Sequence, residues 1–156
     1  MQAVLDALQA GDNVLLYPAG RVYRSGRESL GGNSGAALIL QKMPGLRVVL
    51  VRTTGLWGSA FSYGATGKAP HFGKVLLRGA LAVVANLLFF TPRRPVTVEF
   101  VEADDLPRTG DKRILNPWLE QFYNQAERPA QRIPHYFWQG SEARILDAVP
   151  QKCAAE

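Results

Sequence analysis

With 156 residues, 47% of them hydrophobic and 20% charged, the chain has the apolar content of one domain with a real core, which excludes a disordered polypeptide. Fifteen glycines and ten prolines follow no Gly-x-y period, no solenoid-length repeat is visible, and the single Cys153 excludes a disulfide framework or a cysteine-rich zinc site, so a reducing compartment is expected. A net charge of +5 favours an anionic partner, and charge alone leaves nucleic acid, an anionic membrane surface and a phosphorylated small molecule all open.

Ala3, Val4, Ala7 and Leu8 share a helical face ahead of Gly11, so Gln2 to Ala10 reads as a short helix. Asp6 stands where an export signal needs a basic start, and no such signal is expected. Val14 to Tyr17 is a continuous apolar run closed by Pro18, the pattern of a strand covered on both faces of a parallel sheet. Loop chemistry follows to Gly32. Asn33 or Ser34 then caps a helix through Ala36 to Met43, which Pro44-Gly45 ends. Val48 to Val51 repeats the buried-strand pattern, and strand, loop, helix, strand in that order predicts a right-handed parallel crossover. Gly55 to Gly73 reads as a long loop carrying Trp57, Phe61, Tyr63 and Phe72. Beyond it come an apolar helix from Lys74 to Phe90, an alternating strand from Pro95 to Glu102 with Val96, Val98 and Phe100 on one face, and an amphipathic helix from Asp111 to Gln125. Ile114, Leu115, Trp118, Leu119 and Phe122 are its expected inward residues. The expectation is an α/β fold, a mostly parallel sheet with flanking helices, over residues 1–127, with 128–156 an extension or linker broken by prolines. Leu81 to Phe90, interrupted by Asn86 and flanked by Arg78, Arg93 and Arg94, falls short of the roughly 20 residues that span a bilayer. A cytoplasmic chain, peripheral at the inner membrane face, is expected.

Phosphate-loop, dinucleotide-binding, His-Glu-x-x-His and zinc spacings are absent. Gly32 to Ala36 superficially resembles a nucleophile elbow around Ser34, but the second glycine comes one position early and no strand precedes it, so Ser34 reads as a helix cap. Tyr17-Pro18-Ala19-Gly20-Arg21 is the most informative stretch. It ends an expected strand, where ligands of open α/β sheets gather. Gly20 permits close backbone approach, and Arg21 presents a planar fork suited to phosphate, with Arg24 and Arg27 in the same loop. The alternative is that these arginines are solvated or tie down carbonyls.

At these residues the chain resembles the glycerolipid (lysophospholipid) acyltransferases, whose third sequence block reads Phe-Pro-Glu-Gly-Thr-Arg or a close variant after a strand. The likeness runs on through Gly32 to Ala36, through Val48 to Val51, which resembles the fourth block, and through Leu56-Trp57-Gly58-Ser59. It is similar above all to the branch found beside acyl-activating synthetase modules in large bacterial proteins, where Tyr-Pro-(small)-Gly-Arg and Leu-Trp-Gly-Ser recur. The resemblance covers Val4 to Gln125. It implies phospholipid biosynthesis: transfer of an acyl chain from acyl carrier protein or coenzyme A to a lysophospholipid or glycerol phosphate hydroxyl, with Tyr17, Pro18, Gly20, Arg21 and Arg24 binding substrate and no metal or redox cofactor.

Two departures qualify that implication. Ala19 replaces the acidic residue of the third block, and the first block, His-x-x-x-x-Asp, is missing: Leu76 and Gly140 occupy the aspartate position relative to His71 and His135. An oriented general base is therefore not supplied by this chain, no catalytic residue is assigned, and little activity is expected of it alone. The expected state is the C-terminal part of an acyltransferase domain, needing its first half or else associating with itself.

Other polar residues have bland readings. His71 reads as a loop histidine, Asp104-Asp105 as a solvated turn, Trp57, Phe61 and Phe72 as an acyl channel or a packed loop, and Tyr136-Phe137-Trp138 as a docked tail or a membrane contact. The competing function is a non-catalytic module for anionic lipid or an acyl-carrier partner, using Arg21, Arg24, Arg27 and the apolar helix. Nucleic acid is not expected as a partner, since the basic residues are scattered and no binding motif is present.

Overall fold

Helix α4 (Lys112–Asn124) starts where its sequence says it should: the Asp111 side chain accepts a hydrogen bond from the Arg113 amide at 2.8 Å, neutralising one orphan donor of the first turn. Its Leu115 and Leu119 are buried and meet Leu30, Leu50, Ala103 and Leu106 in an apolar cluster, closed from above by Ala37 and Leu40 of α2 (Gly35–Lys42). Trp118 and Phe122 pack at its margin as expected, whereas Ile114 is half exposed and Asn116 is buried in its place. The helix turns its core face slightly toward Asn116 because that side chain has backbone carbonyls to bind there.

The computed structural model describes residues 1–21, 24–108, 110–125, 129–140 and 142–146. Cys153 lies outside them. The chain divides into two units, one comprising Met1–Val22, Arg27–Val51 and Phe100–Gln125, the other Tyr23–Gly26, Arg52–Glu99 and Ala126–Glu156. The cluster above belongs to the first unit. So does α1 (Gln2–Gln9), which ends as predicted at Gly11, whose amide and that of Asp12 close back on Leu8 and Ala7 carbonyls.

The fold expectation is corrected at the sheet. Val14 to Tyr17 forms no strand. Leu15 and Tyr17 are about three-quarters exposed, at 70% and 74%, and among the described residues no backbone hydrogen bond joins Val14, Leu15 or Leu16 to another segment. The second apolar run does become a strand, β1 (Val49–Thr54), but its partner is β2 (Thr97–Glu102). The Val48 carbonyl accepts from the Ala103 amide at 3.0 Å, Arg47 pairs with Glu102, and Arg52 pairs with Glu99, so numbers rise along one strand as they fall along the other. That is antiparallel pairing, and the only other sheet among the described residues, β3 (Gln131–Arg132) with β4 (Arg144–Ile145), is antiparallel too. Among the described residues, four α-helices and two short two-stranded antiparallel sheets replace the expected mostly parallel α/β sheet. A strand is a property of two segments, and an apolar run carries no instruction about which partner supplies its hydrogen bonds. On the exposed surface Arg47 hydrogen-bonds Glu102 and holds its carboxyl below the usual range.

The second unit is held by polar groups. Helix α3 (Phe72–Ala85) ends at Asn86, which is wholly buried: its amide donates to the Ala82 carbonyl at 2.6 Å and the His135 carbonyl at 2.8 Å, and its oxygen accepts from the Phe137 amide at 2.8 Å. The residue that interrupts the apolar stretch is thus the anchor for the segment after Pro134. Arg94 donates to the Gly55 and Gln131 carbonyls, both at 2.7 Å, and burial disfavours its charge. Gly58 sits at φ +85°, and a Cβ there would collide with the Gln131 backbone, so the glycine of Leu56-Trp57-Gly58-Ser59 is demanded by that close approach. No helix is long and apolar enough to cross a membrane among the described residues.

Two outcomes follow. Leu115→Ala is expected to cost about 2–5 kcal/mol, as large-to-small core substitutions do, and Ile114→Ala about 0.5 kcal/mol or less, both read by urea unfolding. Asn86→Ala leaves the His135 carbonyl and the Phe137 amide without this partner, while the Ala82 carbonyl keeps the backbone amide of residue 86, and is expected to speed tryptic cleavage at Arg132 and Arg144. An unchanged cleavage rate would show that the segment is held by its aromatic contacts instead.

Candidate functional site

Proline sets φ for the second position of a turn, and Tyr17-Pro18-Ala19-Gly20 closes as one, the Gly20 amide donating to the Tyr17 carbonyl at 3.0 Å. Gly20 lies at φ +61°, a left-handed conformation that a Cβ would strain. Ala19 is buried, so the turn presents its backbone outward and no carboxylate. Its two central carbonyls are not left to solvent. The Asn33 carboxamide donates to Pro18 O at 3.3 Å and, by a shorter bond, to Ala19 O. Asn33 therefore ties the turn to the residue pair that starts α2, and Ser34, at the cap position, makes no side-chain cap hydrogen bond. The structure gives Ser34 neither the capping bond expected of it nor a nucleophile's setting.

Between the turn and the start of α2 lies an open pocket of about 150 Å³ lined by Leu16, Tyr17, Pro18, Gly20, Asn33, Gly35 and Ala36. Three predicted site residues, Tyr17, Pro18 and Gly20, are among these. Arg21 follows directly, exposed, with Nη2 donating to the Ser29 carbonyl at 3.4 Å. Arg27 is exposed in the same unit. Arg24 belongs to the other unit, where its guanidinium lies 5.7 Å above the Tyr63 ring. The first-turn amides of α2, which have no acceptor within the helix, give that end of the pocket a positive partial charge, and none of the residues lining it is acidic.

The residues that hold this loop were not legible as a set. Lys112, Asn116, Glu120 and Asn124 recur every four residues on α4, and each meets the backbone of the segment from Glu28 to Asn33. Lys112 Nζ donates to Gly32 O at 2.9 Å, and Asn116 Nδ2 donates to Gly31 O and Asn33 O at 3.0 and 2.9 Å. The Glu120 carboxylate accepts from the Leu30 amide, and Asn124 both accepts from the Glu28 amide at 2.7 Å and donates to its carbonyl at 2.9 Å. The available signal was the four-residue polar spacing beside an apolar face, with two asparagines where a helix interior disfavours them.

His71 sits exposed at the beginning of α3, and among the described residues no carboxylate contacts it or His135. Asp104 and Asp105 occupy an exposed turn after β2. Phe61 and Phe72 face each other at 6.2 Å, both exposed, while Trp57 is half-buried. Tyr136 stacks on Trp138 at 4.6 Å, and Phe137 meets Phe90 at 5.6 Å, which is a docked tail.

Glu120→Ala is expected to speed hydrogen exchange at the Leu30 amide, and Asn116→Ala to destabilise the chain by about 1–3 kcal/mol, the scale of losing two part-buried hydrogen bonds. Exchange of the Leu5 amide, which donates to the Met1 carbonyl at the start of α1, serves as the internal control. Comparison with protein-family models, with curated proteins and with solved structures finds no match to this chain.

Proposed function

We propose that the chain carries the acceptor-phosphate subsite of a glycerolipid acyltransferase. In the complete reaction a lysophospholipid or glycerol phosphate hydroxyl attacks the carbonyl of an acyl thioester, on acyl carrier protein or coenzyme A. An ester C–O bond forms, the C–S bond breaks, and the hydroxyl proton passes through a base to the departing thiolate. The observation that carries the reading is the pocket at the Tyr17–Gly20 turn with Arg21 immediately beyond it. Its volume is well below the roughly 300–1,000 Å³ of sites that enclose a whole drug-sized ligand, so it suits a phosphate headgroup with the lipid chain left outside. Arg21 contributes the guanidinium fork, Gly20 the close backbone approach, and the first turn of α2 its amides. Among the described residues the exposed guanidinium makes one long bond, to Ser29 O, weak enough to be exchanged for phosphate oxygens.

The base lies outside the reach of this sequence, since neither histidine is followed by the required aspartate. The division of labour is accordingly that this chain binds and orients the acceptor while the proton is handled by residues it does not contain.

Calorimetric titration with glycerol phosphate or a lysophospholipid tests the reading. Arg21→Ala is expected to weaken binding by about 1.5–3 kcal/mol, the scale of a hydrogen bond to a charged group. Arg21→Lys recovers part of the loss, because a point charge lacks the bidentate fork. Thermal melts control for misfolding. Equal affinities in all three proteins, or losses that follow unfolding alone, would assign Arg21 a structural role and remove the site.

A further inference from the structure

Charge is distributed unevenly along this chain, and the second unit holds the extreme case. From Arg52 to Val98 there is no Asp or Glu, while Lys68, Lys74, Arg78, Arg93 and Arg94 all occur. Arg94 is committed to the Gly55 and Gln131 carbonyls. The other four are exposed, and among the described residues no carboxylate pairs with them.

Helix α3 lies inside this acid-free stretch. Only Ala82 within it, and Asn86 at its end, are buried. At about 100° per residue those two and half-buried Val75 share one narrow line, and Phe72, Leu76, Leu77, Leu81 and Val84 spread over roughly the opposite half of the surface, all at least 60% exposed. Lys74 and Arg78 fall on the border between the two. The apolar surface does not stop with the helix. Leu87 and Leu88 adopt left-handed φ of 50° and 66°, with their amides closing back on Val84 and Val83 carbonyls, and the tight turn leaves Leu87 to Phe90 exposed, Phe89 at 86%. Left-handed leucines cost about 1–2 kcal/mol each, and the Phe90 amide closes the turn on the Asn86 carbonyl at 3.0 Å.

We infer that α3 and the Leu87–Phe90 turn form an interfacial membrane-binding surface, with the apolar half inserted at the headgroup boundary of an anionic bilayer and Lys68, Lys74, Arg78 and Arg93 on its phosphates. Charge selects this occupant. A second copy would bring the same cations together with no acid in the stretch to offset them, whereas an anionic lipid surface attracts each nearby Lys or Arg and accepts the apolar half at once. At 14 residues the helix is too short to span the bilayer, so it lies in the interface. The inference stands on the second unit alone and does not depend on the acceptor-phosphate reading, which concerns the first.

Flotation of the full chain with vesicles of phosphatidylcholine, or of phosphatidylcholine with 30% phosphatidylglycerol, tests it. Wild type is expected to bind the anionic vesicles at least about ten-fold more tightly than the neutral ones, and to lose most of that margin in high salt. Lys74→Gln/Arg78→Gln and Leu77→Glu/Leu81→Glu, all at exposed positions, are each expected to reduce anionic-vesicle binding about ten-fold with unchanged circular dichroism. Lys42→Gln, at an exposed cation of the first unit, is expected to leave it intact. Absent binding, or binding equal in wild type and both double variants, overturns the inference. So does a dimer in analytical ultracentrifugation that Leu77→Glu/Leu81→Glu abolishes while vesicles go unbound, which would assign the face to a second copy. Capture by an acidic polypeptide with no vesicle binding would likewise replace lipid with a protein partner.

Discussion

The loop that carries the candidate site is long, polar and rich in glycine, and its backbone groups need partners that no secondary structure supplies. Helix α4 supplies them from one stripe: Lys112, Asn116, Glu120 and Asn124, spaced one turn apart, reach the backbone of Glu28, Leu30, Gly31, Gly32 and Asn33. A buried carbonyl or amide without a partner costs about as much as a lost hydrogen bond, so the loop follows the helix rather than any preference of its own. Asn33 passes the constraint on, since its carbonyl is held by Asn116 while its side chain holds Pro18 and Ala19. The Tyr17–Gly20 turn is thereby positioned by a helix nearly a hundred residues later in the chain. The pocket beside it lies where the turn and the start of α2, tied through Asn33, meet at Gly35.

The second unit solves the same problem with less apolar burial. Among the described residues the apolar cluster lies in the first unit, and in the second the principal ties are Asn86 to the segment after Pro134 and Arg94 to the Gly55 and Gln131 carbonyls. Buried polar anchors of this kind are directional. They set one geometry without consuming apolar surface, which is why α3 can remain folded while most of its large side chains face outward. The exposed apolar area far exceeds the scattered single residues expected of a surface with no partner. The two proposed recognition surfaces accordingly differ in chemistry: backbone, one guanidinium and a helix start at the Tyr17–Gly20 turn, and apolar side chains bordered by cations along α3.

Much of the local structure was legible, because helix and turn signals close within a few residues. Gly11, Pro44-Gly45 and Asp111 stand where α1, α2 and α4 begin or end, and Pro18 with Gly20 marks the turn. The lack of a His-x-x-x-x-Asp dyad is likewise a statement about composition and order, complete in the sequence. The interruption at Asn86 was visible too, although its role as a wholly buried anchor was not, since its partners lie about 50 residues away at His135 and Phe137.

What only tertiary structure decided is every property shared by distant segments. The apolar runs at Val14 and Val48 look alike, yet one is β1 and the other pairs with nothing among the described residues, because a ladder bond such as that between Val48 and Ala103 depends on the segment that arrives opposite. Strand direction was decided in the same way, by β2 folding back on β1. On α4 the apolar periodicity favoured Ile114 as an inward residue, and the loop's need for donors buried Asn116 instead. Periodicity reports the face a helix can bury; the hydrogen-bonding demand of what packs against it sets which edge of that face goes in.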